Sequence, residues 1–232
     1  MTLHLGQASV RGSLTRYSRF FDLLEVSGDP GRLPRPAVLK RWRESVPSSF
    51  AFSLTVPGGA GGGGQPLDSF LAPLLLSAEV LDAEWLVLKS DRTLTPTSRN
   101  RERLAELAVA LRASGRRVAW RADGLWEPDE ARELAGRLGV CWVVDIGRDE
   151  PPERDYVYGI LRSLGSGGVV STGMLERAAE RLGDRGDACI VLEGRGAGRA
   201  ATQLRQLVAE LHGEFLTDLD EYEERQKATH ES

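Results

Sequence analysis

Six charged residues, each near the end of a short apolar run, are the strongest candidates for chemistry in this sequence. They are three acids and three bases: Glu25, Lys89, Arg121, Asp145, Arg162 and Glu193. In a barrel of parallel strands, functional side chains lie at the carboxyl ends of the strands, so these six would converge on one rim. They would either neutralise one another as ion pairs, or hold an anionic or polar ligand through the arginines, with Glu25 or Asp145 as a base.

Two glycine-rich segments predict a second kind of site, in which backbone N–H groups bind an anion. The segment GRGAGR spans Gly194–Arg199, and the segment GSGG spans Gly165–Gly168. In TIM-type barrels, phosphate often binds at the loops after the seventh and eighth strands, where these segments are predicted to lie. Alternatively, the glycines only permit tight turns. With the two rim arginines, the predicted ligand-binding residues are Arg121, Arg162, Gly165, Gly167, Gly194, Arg195, Gly196, Gly198 and Arg199.

The placement of the histidines disfavours catalysis that depends on a metal or on histidine. The three histidines are His4, His212 and His230, and none is predicted at the carboxyl end of a strand. A catalytic metal in a barrel needs several His, Asp or Glu ligands there, and a Ser-His-Asp or Cys-His arrangement needs a histidine there. Lys89 would form a Schiff base only if it were desolvated, and a salt bridge is the commoner role. We therefore expect no metal and no cofactor.

The stretch Arg116–Asp145 has the clearest strand–helix–strand pattern and positions two of the six charges. Arg117–Arg121 and Val140–Asp145 are apolar runs with β-branched and aromatic residues, which is typical of strands buried on both faces of a parallel sheet. Between them, Glu127–Leu138 has apolar residues at helical spacing and is followed by Gly139, a common helix terminator.

Alternation along the strands predicts which side chains fill the barrel. If Arg121 points inward, Ala119 does too, whereas Val118 and Trp120 face the helices. By the same parity, the sixth and eighth strands bring four further residues inward: Cys141, Val143, Cys189 and Val191. One strand would then separate the two cysteines by roughly 9–10 Å, beyond the ~7 Å that a disulfide spans. We expect two buried free thiols.

The same patterns recur along the whole chain and predict eight strands that alternate with helices. The predicted strands are Leu3–Val10, Leu23–Val26, Phe50–Val56, Glu84–Lys89, Arg117–Arg121, Val140–Asp145, Tyr156–Leu161 and Ala188–Glu193. After a short turn at Tyr17–Phe21, the predicted helices are Ala37–Ser45, Leu67–Leu81, Asn100–Ser114, Glu127–Leu138, Met174–Leu182 and Ala200–Leu211.

This element order predicts an α/β fold, a single-domain (β/α)8 barrel of the TIM type. No dinucleotide fingerprint follows the first strand, as an open Rossmann sheet would require, and the count of eight favours closure. The barrel is predicted over residues 1–213, with Gly58–Gly64 as a flexible connector. Residues 214–232 form an acidic polar tail, predicted to fray or to form a solvated helix.

Composition and charge disfavour several classes of protein. Of 232 residues, 41% are hydrophobic and 28% are charged, and the formal net charge of −4 argues against a large nucleic-acid footprint. The first residues have no charged-then-apolar leader pattern. The longest apolar stretch, Phe70–Leu81, is interrupted by Pro73 and is too short to cross a bilayer. We therefore expect a cytoplasmic protein without a membrane partner, and the oligomeric state stays open.

The segment FDLLEVSGDPGRLPRPAVLKRW, Phe21–Trp42, resembles a block of the YecE-like family, uncharacterised bacterial and archaeal proteins with TIM-type barrels. The family block reads Phe-Asn-Thr-Val-Glu-Ile and continues into a Leu-Pro turn and an Arg-Trp helix. Other similar blocks are Pro47–Pro57, Arg117–Trp126, Val140–Asp145 and Arg162–Gly165. The family's biochemical role is not established, so the resemblance implies only the fold and a site at the barrel mouth.

Where the sequence departs from the family, it loses polar residues of the barrel mouth. The family's lysine on the third strand is Thr55 here, the Glu and His that flank its arginine are Ala119 and Ala122, and the His of its seventh block is Leu164. Four charged residues match the family pattern: Glu25, Arg121, Asp145 and Arg162. The losses favour ligand binding over catalysis.

Three functions are compatible with these residues. The leading hypothesis is binding of a small anionic ligand, phosphorylated compounds included, at the carboxyl rim with little or no catalysis. The first alternative is a hydrolase of a phosphorylated or nucleic-acid substrate, with Asp145 or Glu25 as base and Arg121 and Arg162 holding the anion. The second alternative is a protein-interaction scaffold that uses the acidic tail. An enzyme should keep an acid or base that has no ion-pair partner.

Overall fold

The computed structural model describes residues 2–10, 12–59, 66–90, 93–163, 168–183 and 185–230, with the backbone alone from residue 214 onward. Within these residues, nine strands form one sheet, and neighbouring strands are parallel. They confirm the predicted strand positions to within a few residues. The strands are β1 Thr2–Gln7, β2 Leu23–Val26, β3 Ala51–Pro57, β4 Trp85–Ser90, β5 Arg117–Ala122, β6 Cys141–Trp142, β7 Val144–Asp145, β8 Tyr156–Arg162 and β9 Asp187–Glu193.

The sheet closes on itself at one short segment of chain. Its order is β6-β5-β4-β3-β2-β1-β9-β8-β7, and only Val143 separates the strands at its two edges. The N–H of Val143 donates to the carbonyl of Trp120 in β5 at 2.9 Å, and the N–H of Ile146 donates to the carbonyl of Ile160 in β8 at 3.0 Å. The single strand predicted over Val140–Asp145 is therefore two strands, because its backbone changes partner from β5 to β8. The result is the predicted TIM-type barrel, nearly closed.

Helices follow the strands and cover the outside of the barrel. In the described part of the chain they are α1 Leu14–Tyr17, α2 Pro36–Glu44, α3 Leu67–Leu81, α4 Ser98–Arg112, α5 Pro128–Leu138, α6 Thr172–Leu182 and α7 Ala197–His230. None of these helices is long and apolar enough to cross a membrane.

Side-chain caps explain two differences from the predicted helix boundaries. The hydroxyl of Thr97 accepts a hydrogen bond from the N–H of Asn100 at 3.3 Å, so α4 begins at Ser98 rather than Asn100. Ser13 caps α1 in the same way, and the helical turn therefore precedes the predicted turn at Tyr17–Phe21.

The last helix continues past the predicted end, Leu211, to His230. The tail backbone is thus helical, while the domain boundary at residue 213 stays a prediction.

Two layers of apolar side chains lie on the two faces of the sheet. The outer layer, between sheet and helices, contains Val118 and Trp120. The inner layer fills the barrel and consists of Leu23, Ala51, Trp85, Val87, Ala119, Cys141, Val143, Tyr158, Ile160, Cys189 and Val191. This division confirms the alternation predicted from the sequence. Cys141 and Cys189 are both buried free thiols, as expected.

Candidate functional site

The six charged residues all lie toward the carboxyl ends of their strands, as predicted. They divide into three groups rather than one cluster: an ion-pair network, a cavity wall and a separate carboxylate. The residues are Glu25 in β2, Lys89 in β4, Arg121 in β5, Asp145 in β7, Arg162 in β8 and Glu193 in β9.

The ion-pair network is a ring of two arginines and two acids. Arg121 contacts Asp123 through Nε at 3.0 Å and Glu193 through Nη1 at 2.8 Å. Arg162 contacts the same two acids, Glu193 through Nε at 2.9 Å and Asp123 through Nη2 at 3.2 Å. Burial lowers the pKa of Arg121, but the carboxylates of Glu193 and Asp123 outweigh burial, so this pKa lies above its ordinary value. The ring realises the charge pairing that was one of the two interpretations of the rim.

Asp123 is the member of this ring that the sequence reasoning missed. It follows the end of β5 and lies in the loop, whereas the six charged candidates of the rim were taken from strand ends. Its spacing of two residues from Arg121 was the only available signal. Because Asp123 and Glu193 already occupy both guanidinium groups, ligand binding by Arg121 and Arg162 stays a prediction.

Glu25 is a buried carboxylate with a hydrogen-bond partner but, among the described residues, no ion-pair partner. Its side chain is held inside the barrel, and the residue is only 3% exposed. The Tyr158 hydroxyl donates to its Oε2 at 2.8 Å and lies 2.7 Å from the hydroxyl of Ser53. Burial raises the pKa of Glu25 above its ordinary value, although the Tyr158 hydrogen bond and the charges of Arg121 and Lys89 lower it. Glu25 therefore has the environment of a proton-transfer group.

Asp145 lies apart from Glu25 and is held mainly by its own loop. Its Oδ1 accepts the N–H of Gly147 at 3.3 Å, and Arg148 Nε lies 3.6 Å from Oδ2. Oδ2 is buried and receives no hydrogen bond from the protein. Burial raises the pKa of this carboxyl as well, and Arg148 opposes the shift. Asp145 and Glu25 both remain candidate bases by this criterion.

A cavity of about 320 Å³ opens beside Glu25, and we call it the Glu25 cavity. It lies at the carboxyl ends of β1 to β4. Its walls combine the buried carboxylate with cationic, anionic and hydroxyl groups. The lining residues are Ala8, Glu25, Ser27, Asp29, Arg32, Thr55, Pro57 and Lys89.

A larger cavity, of about 500 Å³, lies at the predicted glycine segment Gly194–Arg199, and we call it the glycine-loop cavity. Four predicted residues line it: Gly194, Arg195, Gly196 and Gly198. Arg199 is exposed and does not line it, and Gly165 and Gly167 lie outside the described residues. The remaining lining residues are Gln7, Ser9, Arg16, Tyr17, Phe20, Phe21 and Ala197. The sequence reasoning missed Arg16, which belongs to a helix far away in the chain.

The described residues contain no group of three or more His, Cys, Asp or Glu side chains that could hold a metal ion. His4, for example, lies near the start of β1, at the opposite end of the barrel from the acids of the rim. Its Nδ1 lies 4.0 Å from Asp22 Oδ2.

No protein-family model and no curated protein matches this sequence. Solved structures do match the fold. A DUF72 family protein from Enterococcus faecalis superimposes with a TM-score of 0.69 at 15% identity, over 90% of this chain and 96% of the other. A DUF72 family protein from Thermotoga maritima gives a TM-score of 0.66 at 14% identity, over 91% and 100% of the two chains.

A xylose isomerase domain-containing protein from Salmonella typhimurium is also similar, with a TM-score of 0.59 at 12% identity over 90% and 96% of the two chains. At these identities, the similarity shows the fold alone. This chain is a single-domain TIM-type barrel, and the solved structures that share its fold include DUF72 proteins and a xylose isomerase-like barrel.

Proposed function

We propose that this protein is a YecE-like barrel of the DUF72 group that binds a small anionic ligand in the glycine-loop cavity, with little or no catalysis. The single observation that carries the proposal is the composition of that cavity. Two arginines, Arg16 and Arg195, line it together with the glycine turn, and within the described residues neither has an acidic partner. The family assignment is supported by the sequence blocks and by the fold shared with DUF72 structures.

The backbone of the turn suits close approach by an anion. Gly194 has φ +134° and Gly196 has φ +73°, which only glycine adopts without strain. Helix α7 begins at Ala197, so its first N–H groups and the positive end of its dipole lie at the cavity wall. Glu193 does not compete for these groups, because its carboxylate binds Arg121 and Arg162.

The size and walls of the cavity indicate the class of ligand. A volume of about 500 Å³ has room for roughly 15 water-sized atoms, at about 30 Å³ for each. Phe20 also lines the cavity, and 53% of this residue is exposed. A phosphorylated compound with a small apolar or planar part would match the two arginines and this ring.

Calorimetric titration with inorganic phosphate and with pyrophosphate tests the proposal. We expect both anions to bind the wild-type protein and Gly196→Asp to abolish binding, because the aspartate adds bulk and negative charge to the turn. Gly115→Asp is the matched control. Gly115 has φ +75° and nothing near its Cβ position, so an aspartate there imposes similar backbone strain away from the cavity. Unchanged binding by Gly196→Asp would refute the site.

A second pair of variants tests the two arginines. Arg195→Gln and Arg16→Gln should each weaken phosphate binding by about tenfold, because each removes a charge-assisted hydrogen bond. Arg41→Gln, an exposed position on α2, makes the same change of charge away from the cavity and should bind as the wild type does. Equal effects at all three positions would indicate a general charge effect rather than a site.

A hydrolase of phosphorylated substrates is the second candidate, and one observation favours it. Glu25 keeps a buried carboxylate with no ion-pair partner among the described residues, as an enzyme should. Our proposal nevertheless expects no metal-dependent phosphatase or nuclease activity above background in the purified protein. Turnover that Glu25→Gln or Asp145→Asn abolishes would favour the enzyme.

A further inference from the structure

The Glu25 cavity and the glycine-loop cavity are separate, although they are neighbours. The end of β1 divides them: Ala8 lines the Glu25 cavity, whereas Gln7 and Ser9 line the glycine-loop cavity. Each cavity has its own cations. The Glu25 cavity can therefore hold a ligand of its own, which the proposed function does not use.

The carboxyl of Glu25 is held rigidly at the wall of this cavity. Tyr158, in β8, donates to one of its oxygens and is itself hydrogen-bonded to Ser53. Tyr158 has no exposed surface, so the three groups form a buried chain that ends at the cavity. Glu25 is only 3% exposed and lines this cavity, so we expect its carboxyl to exchange a proton with whatever occupies the cavity.

The remaining charges of the cavity favour a single negative charge in the ligand. Within the described residues, Lys89 and Arg32 have no acidic group at ion-pair distance, and Asp29 accepts a hydrogen bond from Ser27 at 3.1 Å. With Glu25 ionised, the two cations and two carboxylates sum to zero. With Glu25 protonated, the sum is one positive charge, which a monoanion would neutralise.

We propose that the Glu25 cavity binds a small hydroxy acid, whose carboxylate contacts Lys89 and Arg32, and that Glu25 takes up a proton on binding. The volume of about 320 Å³ has room for roughly ten water-sized atoms, which fits hydroxy acids of about three to six carbons. Hydroxyl groups of such a ligand find partners in Ser27, Asp29 and Thr55, which line the same cavity.

The electrostatic surroundings of Glu25 support proton uptake. Burial already disfavours its ionised form. The groups that face Glu25 have opposing effects on its pKa. Tyr158, Arg121 and Lys89 stabilise the carboxylate, and Glu193 destabilises it. A bound carboxylate would displace water, add a second negative charge and engage Lys89. All three changes favour the protonated form.

The experiment is calorimetric titration of the full chain with glycerate and with gluconate, at several pH values between about 5 and about 9. Each titration is repeated in buffers with different ionisation enthalpies, so that proton uptake appears as a dependence of the heat on the buffer. We expect uptake of up to one proton in part of this range for the wild type. The variant Glu25→Gln, which mimics the protonated group, should bind without uptake.

Two further variants identify the cation. Lys89→Met should weaken binding of both acids by about tenfold or more, because the ligand loses its charged partner. Lys40→Met on the outer helix α2 is the matched control and should have no effect. Glycerol, which lacks the carboxylate, should not bind measurably.

Three outcomes would overturn the inference: no binding of either acid, binding without proton uptake throughout the range, or uptake that persists in Glu25→Gln. The variant Arg195→Gln separates this inference from the proposed function. It should weaken phosphate binding in the glycine-loop cavity while glycerate and gluconate bind as they do to the wild type.

Discussion

At the scale of single residues, the same type of side chain has different roles on one barrel rim. Glu193 is neutralised by Arg121 and Arg162, whereas Glu25 has a hydrogen bond from Tyr158 and no ion-pair partner among the described residues. The difference follows from position: Glu193 ends its strand at the mouth, and Glu25 lies deeper, where the neighbours are the aromatic and hydroxyl groups of the interior. The ion-pair ring is thereby kept apart from the carboxyl that we propose takes up a proton.

The raised pKa of Glu25 predicts how stability depends on pH. Above its ordinary pKa of 4.5, the folded protein holds this proton more tightly than the unfolded chain, so its contribution to stability falls as pH rises. Glu25→Gln lacks this effect. We expect the free energy of unfolding of the variant, relative to wild type, to rise with pH above about 4.5, by at most about 1.4 kcal/mol per pH unit.

Urea unfolding at about pH 5 and about pH 8 measures this difference. A pH-independent offset added to this pH-dependent difference, caused by exchange of the hydrogen-bonding group, leaves the prediction intact. Asp145 is present in both proteins, so its contribution cancels from the difference in unfolding free energy. A difference that does not change with pH would show that Glu25 titrates normally in the folded state.

At the scale of elements, helix α7 joins the barrel to the tail. Its buried side chains in the described residues lie in its first part, at Ala197, Ala200, Ala201, Leu204 and Val208. The first turns therefore pack against β1, β9 and α6. The backbone of the same helix then continues to His230.

A variant that ends at Gly213 should therefore keep the melting temperature of the full chain to within a few degrees. The barrel domain predicted over residues 1–213 contains all of the buried α7 positions named above. Leu204→Ala is the comparison, since Leu204 is fully buried and its truncation should cost about 2–5 kcal/mol. Differential scanning calorimetry distinguishes the two changes. A large loss of stability in the truncated chain would place the domain boundary further along the helix.

At the scale of the whole molecule, closure of the barrel requires backbones to approach one another closely. Gly6 in β1 lies opposite Leu23 in β2, and a Cβ atom at Gly6 would lie 2.0 Å from the Leu23 carbonyl oxygen. No side-chain rotation relieves that overlap, because the contacted atom belongs to the backbone. A glycine is therefore required at this point.

Gly6→Ala should destabilise the protein by about 1–3 kcal/mol or more, because β1 must move away from β2. Gly136→Ala is the matched control: Gly136 lies within α5 with open space at its Cβ position, and alanine there should add about 0.5–1 kcal/mol of stability. Urea unfolding followed by tryptophan fluorescence and by circular dichroism gives both values. Equal stabilities would show that the strands are less closely packed than the structure indicates.

The sequence alone determined the order in which strands and helices alternate and the side of the sheet on which each strand residue lies. Ala119 and Cys141 inside, with Val118 and Trp120 outside, follow from the two-residue period of a strand. The carboxyl-end position of the charged residues follows in the same way, because each apolar run has a direction. These features depend only on neighbours in the chain.

The tertiary structure decided which of these residues meet. Glu25 and Tyr158 are 133 positions apart, and Arg16 joins the glycine turn only because β1 pairs with β9. The register between distant strands and the point of barrel closure set such contacts, and neither leaves a local pattern in the sequence. For the same reason, the split of the predicted sixth strand at Val143 became visible only once its two neighbours were in place.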